Sequence, residues 1–126
     1  MATQKIKNFT DLIAWQESHK IVLWIYKITD TFPQKEIYAL TSQMRRAAVS
    51  ITSNIAEGFS RRSDKEKIQF YYLSLGSLTE LQNQLIISRD VGYINDKTLD
   101  DILVLLVNSG KLINGLIKFV KSDTKY

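Results

Sequence analysis

Cysteine is absent from the 126 residues. That excludes disulfides, thiolate metal sites and a cysteine nucleophile, and it makes a reducing cytoplasm the simplest location. Histidine occurs once, at His19, so there is no two-histidine metal spacing and no Glu-x-x-His pair. On the apolar stripe where it falls, a lone histidine reads as a core or rim residue. A phosphate-binding glycine loop and a dinucleotide fingerprint are missing, as is a nucleophile-elbow serine. Long apolar runs are missing too. The longest, Ile102 to Val107, is far too short to span a membrane. The opening Met-Ala-Thr-Gln-Lys-Ile-Lys has no apolar run behind its charges, so no secretory signal is expected, and the Asn8-Phe-Thr10 sequon is then chance. Proline occurs once, at Pro33. Strict polar–apolar alternation and hairpin dipeptides are lacking. These absences predict no metal, no cofactor and no enzyme. An RNA hydrolase would have only Glu57 with Arg46 to build on.

What is present is helical spacing throughout. The expected fold class is all-α, an antiparallel up-down-up-down four-helix bundle, in one domain over 1–126 with helices at about 11–31, 36–57, 64–91 and 96–121. Leu12, Trp15, His19, Val22 and Tyr26 form one stripe of the first helix, with Thr10 as its N-cap. Ile21, Trp24, Ile25, Ile28 and Phe32 widen it, and Thr31-Phe-Pro33 stops it. Leu40, Met44, Ala47, Ile51 and Ile55 mark the second helix, with Gly58 read as its C-terminal stop. Ser63-Asp-Lys-Glu66 is a capping box, after which Ile68, Tyr72, Leu75, Leu78, Leu81 and Leu85 make a core face ending at Gly92. Asn95 caps the fourth helix, and Asp100-Asp101 near its start suit the helix dipole. Leu99, Ile102, Leu106, Ile113, Leu116, Ile117 and Val120 carry its pattern. Gly110 and Gly115 inside it mark close packing or a bend.

Some stretches are more apolar than one bundle face requires. Phe70-Tyr-Tyr-Leu73, Leu85-Ile-Ile87 and Ile102 to Val107 each send side chains in successive 100° steps. Surplus apolar surface of that kind predicts self-association, centred on the third and fourth helices. On the second helix Gln43, Arg46, Ser50, Asn54, Glu57 and Arg61 follow at steps of three or four. One reading is a solvated face; the other, suggested by small residues (Ala47, Ala48, Ser50, Ser53 and Ala56), is a polar row packed against a neighbouring helix or subunit. A buried Glu57 would need a partner: Arg61 is one turn away if the helix continues, whereas Arg46 lies about 16 Å along the same helix, too far unless the arginine comes from another helix or subunit.

The net charge is +4 with an isoelectric point near 9.3, which suits a nucleic-acid partner without requiring one. Arg45, Arg46, Arg61, Arg62, Lys65 and Lys67, partly offset by Glu57, Asp64 and Glu66, give this third of the chain most of the net positive charge. If phosphate is bound, these cations are the candidates. The opposing reading of Arg61 to Lys67 is an ordinary charged turn.

These residues resemble the 23S rRNA intervening-sequence protein family of bacterial four-helix bundles. The likeness runs through Phe9-Thr-Asp-Leu-Ile-Ala-Trp-Gln16, Phe32-Pro and Tyr38-Ala-Leu-Thr-Ser-Gln43. Its most specific part is Arg45-Arg-Ala-Ala-Val-Ser-Ile with Ser53-Asn-Ile-Ala-Glu-Gly58. Phe70-Tyr-Tyr-Leu, Gly76-Ser-Leu-Thr-Glu-Leu81 and Gly92-Tyr-Ile94 extend it. The resemblance implies a homopentamer. It implies no established activity for the rRNA-associated branch, while related accessory proteins of diversity-generating retroelements bind nucleic acid and a reverse transcriptase. Two readings follow: a nucleic-acid-associated oligomer, RNA before DNA, or a scaffold for a protein partner such as a reverse transcriptase. No membrane partner is expected.

Overall fold

In the computed structural model, which describes residues 5–123, four helices account for most of the chain: α1 Ile13–Thr29, α2 Leu40–Ser60, α3 Asp64–Asp90 and α4 Asp96–Asp123. Each packs on its neighbours in sequence, and α4 closes against α1. Pairings that run in opposite senses give the direction. Ser74 and Ser88 of α3 meet Ile51 and Met44 of α2. Lys121 and Gly110 of α4 meet Tyr72 and Leu78 of α3. Asn108 meets Glu17, and Thr98 and Asp101 share a hollow with Trp24 and Ile28. The result is the expected four-helix bundle.

The core is the apolar stripe of each helix turned inward. Ile21 and Ile25 of α1, Met44, Ile51 and Ile55 of α2, Leu81 and Leu85 of α3, and Ile102 and Ile113 of α4 are fully buried. Each such side chain contributes roughly 1.5–3 kcal/mol through burial. Apolar residues also point outward, as the local surplus predicted. Tyr72, Leu73, Ile87, Val104, Val107 and Phe119 are exposed. By length and composition the stretch Asp96–Ser122 is enough to cross a membrane, and 28% of its most apolar window is buried within the bundle.

The helix ends depart from the sequence expectations in informative ways. Thr10 is not the N-cap of α1. Asn8 caps a 3-10 turn over Phe9–Asp11 instead, in a capping box with Asp11, and α1 starts after an extended Leu12. The Lys7 and Asn8 amides donate to the Asp11 carboxylate and hold it below the usual carboxylate range. After Pro33 a second 3-10 turn, Gln34–Glu36, delays α2 to Leu40. Gly58 does not stop α2. The helix runs through it to Ser60, because the position needs space and not a left-handed backbone: a Cβ there would lie 2.6 Å from Tyr71 Cε1. Gly92, at φ +92°, does end α3. The Tyr93 and Gly92 amides fold back to Ser88 and Arg89 carbonyls at 2.8 and 3.0 Å, a Schellman closure. The Ser63 hydroxyl accepts from the Glu66 amide at 3.1 Å, and Asn95 accepts from the Thr98 amide at 2.8 Å. Gly110 and Gly115 have room for a methyl group, so neither marks forced close packing.

Candidate nucleic-acid interface

The polar row of α2 is a seam with α3 at its centre and solvent-facing at its ends. Asn54 Nδ2 donates to the Ser50 carbonyl at 2.8 Å and to Ser50 Oγ at 3.0 Å. Ser77 Oγ of α3 lies 2.9 Å from Ser50 Oγ, and buried Ser74 Oγ donates to the Ile51 carbonyl at 2.7 Å. Small residues from both helices let the backbones approach. Gln43, Arg46 and Glu57 face solvent.

The inward face of α3 keeps the expected Leu78, Leu81 and Leu85, with Ile68 and Leu75 packed on the core, but it is centred differently from what hydropathy suggests. Tyr71 is buried and Tyr72 exposed, and Ser74, Ser77, Gln84 and Ser88 occupy core positions beside Leu78, Leu81 and Leu85. Burial pushes the Tyr71 phenol above its ordinary pKa. The signal for this face was side-chain volume at steps of three and four, masked by the polarity of serine. On α1, Tyr26 also turns outward. His19 is half-buried and stacks on Trp15 at 4.6 Å, a rim residue.

The six candidate cations divide into two groups. Arg45 and Arg46 lie near the start of α2, and Arg61, Arg62, Lys65 and Lys67 surround the α2–α3 turn. Some fifteen helical residues separate the groups, about 22 Å along the axis. Arg45 is a fastener between α1 and α2: its Nε donates to Thr29 Oγ1 and its Nη2 to Asp30 Oδ1, each at 2.9 Å, and its guanidinium lies over the Tyr26 ring at 4.8 Å. Arg46 is 75% exposed, with the Glu80 carboxylate 4.0 Å away. Arg61 pairs with Glu57 at 2.7 Å and sits over the Phe70 ring. Lys67 Nζ donates to the Phe59 carbonyl at 2.7 Å, satisfying a free carbonyl at the end of α2. Arg62 and Lys65 are exposed, and their side chains make no ion pair or hydrogen bond among the described residues.

Glu57 and Arg46 are not brought together. Glu57 is half-exposed and takes Arg61, while Arg46 faces Glu80. Among the described residues, no group of three or more His, Asp or Glu side chains is placed to hold a metal ion.

One contact joins residues 57 positions apart that no sequence spacing announces. Tyr93 Oη donates to Glu36 Oε2 at 2.6 Å, tying the α3–α4 turn to the 3-10 turn before α2. The Tyr93 hydroxyl, then the Leu40 amide, hold the Glu36 carboxyl below its ordinary value, and Glu36 in turn pushes the Tyr93 phenol up. Beside this latch, Tyr26 and Tyr38 stand with Ser42, Arg45 and Arg46 around one shallow hollow.

A family model described as 23S rRNA-intervening sequence protein matches residues 10–115. No curated protein matches the chain. Among solved structures, the chain is similar to the 1.70 Å crystal structure of a protein of unknown function from the S23 ribosomal protein family of Bacteroides thetaiotaomicron VPI-5482. The TM-score is 0.75 at 24% identity, over 84% of this chain and 99% of that one. At that identity the likeness speaks for the fold.

Proposed function

The chain belongs to the 23S rRNA-intervening sequence protein family, and from that premise we propose a non-enzymatic, self-associating bundle that binds nucleic acid, RNA in preference to DNA. The observation that carries this reading is the uncommitted charge at the α2–α3 turn. Arg62 and Lys65 are exposed and unpaired among the described residues, beside Arg61 and Lys67. Phosphate contact needs cations that are free to give up water and counterions, and these two are. One such pair is a weak site. Repeated around a symmetric assembly, it becomes a ring of positive potential.

Self-association is supported by the outward apolar residues of α3 and α4. Tyr72, Leu73, Val104, Val107 and Phe119 are each at least half exposed. A groove of about 280 Å³ between the two helices is lined by Leu75, Leu78, Leu103 and Leu106. Burying such surface against a second copy is favourable at roughly 25 cal/mol per Å² before association costs. We take the homopentamer that the family resemblance implies as the assembly.

Native mass spectrometry followed by a salt titration with RNA tests both parts. The expected result is a pentamer whose RNA affinity falls with salt. Replacing Arg62 and Lys65 by alanine should flatten that dependence by roughly 0.7 in log–log slope per lost phosphate contact. An assembly that binds neither RNA nor DNA at low salt would end the nucleic-acid reading and favour a scaffold for a protein partner.

A further inference from the structure

The hollow between α1 and α2, about 450 Å³, combines features that phosphate binding alone does not need. Tyr38 is 95% exposed, so its ring packs on almost nothing in its own chain. It nevertheless stands on a braced turn. Its neighbour Ala39 donates to the Glu36 carbonyl at 2.9 Å, and the Glu36 side chain is held by Tyr93 at 2.6 Å and the Leu40 amide at 3.3 Å. Tyr26, across the hollow, carries the Arg45 guanidinium over its ring. Arg45 is itself neutralised by Asp30 at 2.9 Å. Arg46 is the cation left available, three-quarters exposed, with Glu80 its nearest acid at 4.0 Å.

An open aromatic ring on a rigid turn, beside an accessible guanidinium, matches an unpaired nucleotide. A base stacks on the ring, and its phosphate meets the guanidinium. A duplex keeps its base faces covered and has no use for Tyr38. Tyrosine and arginine also form protein hot spots, but those sit in pockets that exclude water, whereas this hollow is shallow and Tyr38 stands open to solvent above Ile37, Val49 and the arginines. We infer that this hollow holds one unpaired nucleotide of a single strand, base against Tyr38 and phosphate on Arg46. The inference rests on the nucleic-acid reading and adds to it a preference for single strands, at a place distinct from the α2–α3 turn.

The test uses the full chain and a short single-stranded RNA carrying 2-aminopurine, with the matching duplex as comparison. Tyr38→Ala should weaken single-strand binding roughly five- to a hundredfold, the range found when a stacked aromatic is truncated, and leave the duplex unaffected. Tyr38→Phe should retain single-strand binding and the quenching of the stacked base. Arg46→Ala should weaken single-strand binding and reduce its salt dependence. Unchanged single-strand affinity in Tyr38→Ala, with binding still lost on replacing Arg62 and Lys65, would overturn this inference and leave the broader function standing. A change in assembly mass in Tyr38→Ala would overturn it as well, by making the ring a subunit contact. Absence of any nucleic-acid binding would remove both.

Discussion

Gly58 shows how one residue type serves different physical needs. A glycine near the end of a helical pattern reads as a left-handed stop, and at Gly92 that reading holds. At Gly58 the missing side chain makes room for the buried Tyr71 ring. The two glycines therefore predict different failures. Gly58→Ala gains about 1 kcal/mol of helix propensity but must displace Tyr71 and the Phe70 Cβ at 3.1 Å. Overpacking costs about 1–3 kcal/mol, so a lower denaturation midpoint is expected, and Tyr71→Leu in the same chain should restore part of the loss. Gly92→Ala forces an alanine into the left-handed region at about 1–2 kcal/mol, a loss that no change at Tyr71 relieves. Chemical denaturation of the single and double variants separates the two cases.

The Glu36–Tyr93 latch is also a residue-scale device, with a definite pH signature. The folded Glu36 carboxyl lies below its ordinary 4.5, so its contribution is present above that value and fades as pH falls through the folded one. Tyr93 is raised above its ordinary 10.0, so its contribution is complete below that value and fades as pH rises through the folded one. Glu36→Gln should therefore narrow its stability deficit against the parent as melts move from about pH 7 to about pH 3. A deficit that stays constant across that window would remove the carboxylate from the account.

At the scale of elements, apolar periodicity was enough to find four helices and the inward stripes of α2 and α4. On α3 it placed Leu78, Leu81 and Leu85 inward but missed the serines of that face and misplaced Tyr72, and the reason is physical. Where α3 meets α2, the contact favours small volume over hydrophobicity, and Ser74 and Ser77 supply it with hydroxyls that find acceptors on α2 or in their own helix. Ser74→Ala should then cost only about 1 kcal/mol, the net worth of one hydrogen bond. Ser74→Leu, more apolar yet larger, should cost about 1–3 kcal/mol or more. Thermal denaturation in which the leucine variant is the more stable would refute the volume argument. Helix starts were less legible for a related reason. Asn8, Asp11 and Glu36 act by side-chain hydrogen bonds to particular amides, and spacing does not announce those. The candidate cations were legible as residues but not as a site. Sequence proximity grouped Arg45 with Arg62, whereas the α2 axis holds them far apart, and only the fold reveals Arg45 and Lys67 as fasteners for neighbouring elements.

At the scale of the whole molecule, the two ends of the bundle carry different chemistry. One end presents free charge at the α2–α3 turn, and the other a braced aromatic beside Arg46. The apolar flank of α3 and α4 runs between them. On the proposed assembly, a charge placed in that flank should separate the copies without unfolding them. Val104→Lys, at a position 68% exposed, should keep the helical circular dichroism signal and lower the native mass. Retention of the parent mass would place the subunit contact elsewhere.

The sparse burial of α4 has one more consequence. Only 28% of its most apolar window is buried within the bundle, and Val104, Val107 and Phe119 stand exposed on it. On the proposed assembly the melting temperature becomes a function of dilution, because copies that bind only the folded form stabilise it by mass action. A titration of melting temperature against protein concentration should give a rising line, where a self-sufficient monomer would give a flat one.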